Sequence, residues 1–308
     1  MRRYHSLDNL NLQNTWLTIG IFDGVHRGHQ KILHALVSRA HAAGEPGVVL
    51  TFSPHPAVVL GGKTDFKYLA TPEERSELLE SYGVDAVITQ KFDRVLADQT
   101  AAEYMSRLFR ALDLQTLVVG YDTALGRGRE AGAVRLTEIG EELGYSVLEV
   151  PALTDAAGIL SSTRIRRAIL AGQVAAAAAD LGRPFSITGP VIHGDGRGHT
   201  INLPTANIQI PAEKIMPAFG IYACRAWVKG KPHLAATSLG VRPTFYGDKL
   251  PAPTIEAHLL DFKENLYGQD VKLEFIEYLR PEEKYSSVQA LLEQIQKDIA
   301  QTRLLVRS

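Results

Sequence analysis

Thr18-Ile-Gly-Ile-Phe-Asp-Gly-Val-His-Arg-Gly-His-Gln30 reads as a strand that turns into a helix. The apolar, β-rich run from Trp16 to Phe22 stops at Asp23-Gly24, and helical spacing (Ile32, Leu33, Leu36, Val37) follows at once. At the turn, His26 and His29 flank Gly28. Backbone N–H groups at such a start lack partners, and a helix N-terminus favours negative charge. Paired imidazoles can add donors to a bound phosphate, and Gly28 leaves room for close approach. The same residues also suit a plain helix cap, so the local pattern leaves both readings open.

Outward from that turn, short apolar runs alternate with amphipathic helices. Leu17–Phe22, Gly47–Phe52, Val84–Ile88, Leu117–Val119 and Ser146–Val150 read as buried strands. Gln30–Ala42, Pro72–Ser81, Ala101–Leu112 and Val134–Leu143 have helical spacing, and Thr71-Pro72 looks like a capped helix start. This alternation predicts a doubly wound parallel sheet, which binds ligands beyond the carboxyl ends of its strands. Past Gly182-Arg-Pro184 the pattern changes to strands separated by turn formers: Phe185–His193, Ile221–Val228, Leu234–Leu239, Thr254–Leu260 and Val271–Leu279. A small β-barrel is expected there, closed by a terminal helix with Val288, Leu291, Leu292, Ile295 and Ile299 inward. The expected fold is therefore α/β followed by β, with domains 1–183 and 184–308.

Bulk properties narrow the function. A chain of 308 residues is long enough for two cores. A net charge of −1 gives no basic field for nucleic acid or anionic membrane. Cys224 is the only cysteine, so there is no internal disulfide and no cysteine-based zinc site, which suits a cytoplasmic protein. No apolar run approaches the roughly 20 residues that span a bilayer. The expectation is a soluble protein, monomeric or weakly self-associating, acting on small molecules without nucleic-acid or membrane partners.

Further segments carry chemistry. Thr51-Phe-Ser-Pro-His-Pro56 follows the second expected strand and projects His55 over the same sheet edge. Ser161-Ser-Thr-Arg-Ile-Arg166 opens a helix with hydroxyls and arginines able to grip phosphates, or simply to cap and solvate it. Gly194-Asp-Gly-Arg-Gly198 leads to Pro204-Thr-Ala-Asn207, where Thr205 and Asn207 face one side of an extended chain and can offer neutral oxygens to Mg²⁺ or simply close a turn. In Thr254-Ile-Glu-Ala-His-Leu259, alternation puts Glu256 opposite the core, available as a general base.

The opening string resembles the H-x-G-H signature of nucleotidyltransferases. Its F-D-G-V-H-x-G-H-Q form is similar to the adenylyltransferase half of the bacterial bifunctional riboflavin kinase/FAD synthetases, as are the P-H-P and S-S-T-x-I-R segments. P-T-A-N, Gly240-Val-Arg-Pro-Thr-Phe245, the Glu256 strand, Leu266-Tyr-Gly268 and Leu279-Arg280 resemble the kinase half. The resemblance implies a Rossmann-like nucleotidyltransferase domain before a riboflavin kinase barrel. Riboflavin and ATP would give FMN, and FMN with a second ATP would give FAD and pyrophosphate. It implies His26 and His29 as catalytic, with Gly24, Gly28, His55, Asp122, Ser162, Thr163 and Arg166 around the first ATP. In the second site it implies Glu256 as the base, Thr205 and Asn207 on Mg-ATP, Gly194 and Gly198 in the glycine-rich loop and Arg280 near the flavin. Where the family carries D-F-x-F-G, this chain has Asp122-Thr-Ala-Leu-Gly126, so Thr123 and Leu125 are expected to remove flavin-stacking area. Asn202, which replaces a family glycine, is expected to tolerate the turn. A kinase with an altered N-terminal domain is the alternative, and a non-catalytic flavin sensor a further one.

Overall fold

The computed structural model describes residues 1–8, 10, 12–62, 65–194, 203–241 and 253–306. Contacts divide the chain into Met1–Ser162 and Thr163–Ser308. The division falls earlier than the expected boundary near residue 183.

The first unit is a six-stranded parallel sheet in the order β1-β4-β3-β2-β5-β6. Its strands are β1 (Arg2–Tyr4), β2 (Thr15–Ile19), β3 (Gly47–Ser53), β4 (Ala86–Lys91), β5 (Leu114–Gly120) and β6 (Ser146–Val150). Helices α1 (Arg27–Ala42), α2 (Pro56–Gly61), α3 (Pro72–Ser81), α4 (Arg94–Ala97), α5 (Ala101–Leu112) and α6 (Ala133–Leu143) connect them, before a small hairpin of β7 (Thr154–Asp155) and β8 (Gly158–Ile159). Both sheet faces are apolar, as a parallel sheet requires. Leu17, Val48, Leu50 and Leu117 pack on one side with α5 and α6, and Val49, Val87 and Val118 on the other with Leu33 and Leu36 of α1. Helix starts follow sequence signals: Thr71 with Glu74 and Thr100 with Glu103 form reciprocal capping boxes. The strand expected to run to Phe22 leaves the ladder at Ile19, because Phe22 (φ 53°) and Val25 (φ 39°) adopt left-handed backbone. Consecutive strands run outward from β2 through β3 to β4 and then from β5 to β6. The order reverses between β2 and β5, the place where such sheets bind ligands.

The second unit begins with α7 (Ser162–Leu170), whose first residue closes the first unit, and α8 (Val174–Leu181). A closed barrel follows, ordered β10-β13-β12-β11-β14-β9. Its strands are β9 (Phe185–Ile192), β10 (Ala206–Ile208), β11 (Gly220–Val228), β12 (Lys231–Val241), β13 (Pro253–Leu259) and β14 (Asp270–Arg280). Tyr222, Cys224, Leu239, Ile255, Ala257, Leu273 and Phe275 are fully buried. Helix α8 packs on β9 and β14, which is why it belongs with the barrel.

The closing helix, α9 (Val288–Leu305), covers β11, β12 and β14. Its inner face differs from expectation: Val288 is 59% exposed, and the residues buried most deeply are Asp298 and Thr302. An ion pair with Arg280 explains the buried aspartate.

Candidate active sites

The first site grows from the end of β2. His26 is the N-cap of α1, and its Nδ1 accepts the His29 N–H at 3.3 Å. The capping reading is therefore correct as geometry, and it has a chemical corollary. An imidazole that accepts at Nδ1 carries its proton on Nε2, so His26 presents an N–H donor there. The His26 and His29 rings stack at 3.7 Å and 18°. Burial, and then the neighbouring His26, hold the His29 pKa well below the usual imidazole value. His29 Nδ1 is buried and has no hydrogen-bond partner among the described residues. Gly28 serves a different purpose from the one expected: a Cβ there would lie 3.0 Å from the His26 ring, so the glycine makes room for the imidazole. Gly24 takes a left-handed φ of 77° within the turn.

Ser162, Leu69 and Ala70 meet the same turn. Ser162 Oγ, on the last residue of the first unit, donates to the Asp23 carbonyl at 3.0 Å. Asp23 Oδ1 accepts the N–H groups of Leu69 (2.9 Å) and Ala70 (3.2 Å). His55, at the end of β3, caps α2 through Nδ1 on Ala57 N–H, so its proton also sits on Nε2. Its ring stacks on Phe66 at 4.1 Å, and Tyr68 Oη accepts its backbone N–H. Thr163 and Arg166 follow Ser162 on α7; Arg166 lies one turn on, on the same helix face as Ser162.

The loop after β5 holds the two residues expected to alter flavin stacking. Leu125 bridges to Ala131 and packs against the core, and Thr123 Oγ accepts the Gly120 N–H at 2.9 Å. Both side chains are thus engaged within the loop itself. Asp122 is exposed at the end of β5, across the β2–β5 switch point.

The second site lies across the barrel wall. Asn207 of β10 is the register partner of Glu256 on β13, and Glu256 pairs with Ser238 on β12. The row continues through Ile221 on β11 to Arg280 on β14. Directly paired residues face the same side of a sheet, so Asn207, Glu256, Ser238 and Arg280 share the outer face. Asn207 is 8% exposed, and a Cβ on Gly194 would overlap its carboxamide. Gly194 therefore matters because the backbone approaches Asn207 closely. Thr205 lines a cavity of about 480 Å³ with Val191, Ala257, Leu259 and Tyr267. Gly198, Asn202 and Arg242–Phe245 lie outside the described residues.

Arg280 is engaged more tightly than the sequence suggested. Its guanidinium makes a bidentate pair with Asp298 at 2.7 and 3.0 Å, and the pair raises its pKa. Sequence reasoning also missed Glu282, whose carboxylate accepts the Ser238 hydroxyl at 2.9 Å beside Glu256. Only the strand register reveals that neighbourhood.

Stacked imidazoles at a helix start on a doubly wound sheet, followed by a barrel that pairs Asn207 with Glu256, suit a nucleotide-using transferase. Residues 8–164 match the family model described as FAD synthetase, and residues 181–306 the one described as riboflavin kinase. The bifunctional riboflavin kinase/FMN adenylyltransferase of Listeria monocytogenes is 35% identical over 94% of this chain and 92% of its own. That of Bacillus subtilis is 36% identical over 92% and 89%. A solved Streptococcus pneumoniae structure, described as a macrolide-efflux protein, matches 98% of both chains at 30% identity with a TM-score of 0.91. Among the described residues, no helix is long and apolar enough to cross a membrane.

The chain belongs to the bifunctional riboflavin kinase/FMN adenylyltransferase family. Its activities are riboflavin phosphorylation and FMN adenylylation. The kinase-only alternative gains no support, since the FAD synthetase match runs through the altered Gly120–Gly126 segment.

Proposed function

We propose that the family's two reactions are divided in this chain between the turn after β2 and the outer wall of the barrel. In the first, the FMN phosphate attacks the α-phosphorus of ATP and pyrophosphate leaves. That nucleophile is already ionised, so the protein's task is positioning and charge neutralisation. His26 and His55 supply Nε2–H donors, and neutral His29 contributes its unpartnered ring nitrogen. Gly24 and the N-terminus of α1 accommodate phosphate, with Ser162, Thr163 and Arg166 on α7 and Asp122 completing the set.

In the second reaction, Glu256 takes the proton from the ribityl hydroxyl as that oxygen attacks the γ-phosphorus. Thr205 and Asn207 offer only neutral oxygens beside a carboxylate, a set that suits Mg²⁺ carrying ATP phosphates and several waters. The metal, when bound, offsets phosphate charge. The cavity beside Thr205 falls within the size range of nucleotide-sized sites. Arg280 reaches the flavin from a guanidinium already oriented by Asp298. The chain works in the cytoplasm as a monomer or weak oligomer, without nucleic-acid or membrane partners, with its domain boundary near residue 183.

The register pairing of Asn207 with Glu256 carries this reading most directly, since it joins metal ligand and base from separate segments. Incubation with riboflavin, ATP and Mg²⁺, followed by flavin chromatography, tests it. The parent is expected to form FMN and then FAD. Glu256→Gln should lose riboflavin phosphorylation by about 10²–10⁴-fold while still converting supplied FMN to FAD. His29→Asn should accumulate FMN. A Gln variant as active as the parent overturns the base, and undiminished FAD formation by the Asn variant overturns the first site.

A further inference from the structure

Arg75 is a buried cation that neither reaction uses directly. It lies on α3, is 1% exposed, and donates to the Ile21 carbonyl at 3.0 Å and the Phe52 carbonyl at 3.3 Å. These carbonyls root the two segments that carry the first site's histidines. Ile21 precedes the turn of residues 22–29, and Phe52 precedes the segment that ends in His55. Ile21 O also accepts Thr51 Oγ at 3.1 Å, so the roots are joined to each other.

The turn needs holding. Phe22 (φ 53°) and Val25 (φ 39°) sit in left-handed backbone, which is unfavourable for a bulky and a β-branched side chain. Such residues persist only where their surroundings over-determine them. Both side chains are buried, at 2% and 0% exposure, and the Asp23 carboxylate between them is tied to Leu69 and Ala70. Those residues lead directly into the Thr71 cap of α3. The helix thus meets the turn twice, through Asp23 at its approach and through Arg75 at the strand roots. Burial lowers the Arg75 pKa, and Asp23, Tyr68 and Glu73 oppose that effect.

We propose that Arg75 is a positioning residue for adenylyl transfer, fixing the strained turn so that His26, His29 and His55 converge on one phosphate. The proposal rests on the reading of that turn as the adenylyl site. Its planar fork spans two carbonyls at fixed separation, which a lysine ammonium cannot reproduce. Charge alone is therefore insufficient, and Arg75→Lys is the informative variant.

The test uses the full chain as parent, Arg75→Lys, Arg75→Met and His29→Asn. Adenylyl-transfer kcat and KM, kinase activity in the same preparation, and hydrogen exchange of the β2 and β3 peptides are measured. Arg75→Lys is expected to lower adenylyl kcat about 10- to 100-fold, with KM within about threefold, unchanged kinase activity and protected β2 and β3 peptides. Arg75→Met should lose at least as much. Parental kcat in Arg75→Lys overturns the proposal, as does a loss of kcat accompanied by loss of β2 and β3 protection, which marks a merely structural role. Undiminished turnover in His29→Asn instead overturns the site assignment on which the proposal depends.

Discussion

His29 shows how one side chain couples stability to pH. Its ring stacks on a second imidazole and is largely desolvated, so the folded protein resists protonating it. In the unfolded chain the same ring takes up a proton near the ordinary value of 6.5. Below that pH the unfolded state binds more protons, so stability falls as pH drops towards the lowered folded value. The slope from this residue is at most about 1.4 kcal/mol per pH unit. His29→Asn should flatten the fall in urea midpoint between about pH 6.5 and 5; an unchanged slope would show that the stack does not control protonation. The motif histidines were legible in sequence because their spacing has a chemical meaning. The left-handed Phe22 and Val25 were not, since no propensity favours such residues there. Arg75 was equally hidden, because its importance lies in two carbonyls that are distant along the chain.

Among the elements, the closing helix repays closest attention. Periodicity located α9 correctly but misjudged which residue anchors it, because apolar spacing cannot foresee a buried ion pair. Arg280 and Asp298 have side-chain exposures of 15% and 4%. Removing one partner leaves a desolvated charge, which costs about 3 kcal/mol. Asp298→Asn should therefore destabilise the barrel by about that much and lower kinase turnover as Arg280 loses its orientation. Asp298→Asn combined with Arg280→Met should recover part of the stability in urea melts but none of the turnover. Recovery of both would remove Arg280 from the flavin site. Helices α3 and α5 were readable to the residue, since Thr-capped starts fix their registers locally. The short strand β10 was missed: three residues are too few to show a period, and their pairing with β13 and β9 is a long-range matter.

Across the whole molecule, the change from helix-and-strand alternation to regularly spaced strands correctly announced a parallel sheet followed by a barrel. The contact division at Ser162 and the change of composition near residue 183 fall on either side of the α7–α8 segment. Helix α8 reads in sequence as one more helix of the first pattern, yet it packs on β9 and β14. The barrel also brings together residues far apart in the chain: Asn207, Ser238, Glu256 and Arg280 come from four strands and share one row only after closure.

Cys224 stands inside that closed wall, fully buried, with its thiol pushed up to about 12 by burial. As the chain's sole thiol, it is a native gauge of how often the staves part. A colourless disulfide reagent that turns yellow on reaction should stay pale over the intact enzyme and colour only at the pace of spontaneous opening. Saturating ATP and riboflavin should slow that colour, whereas immediate reaction in native buffer would mean the cask already leaks.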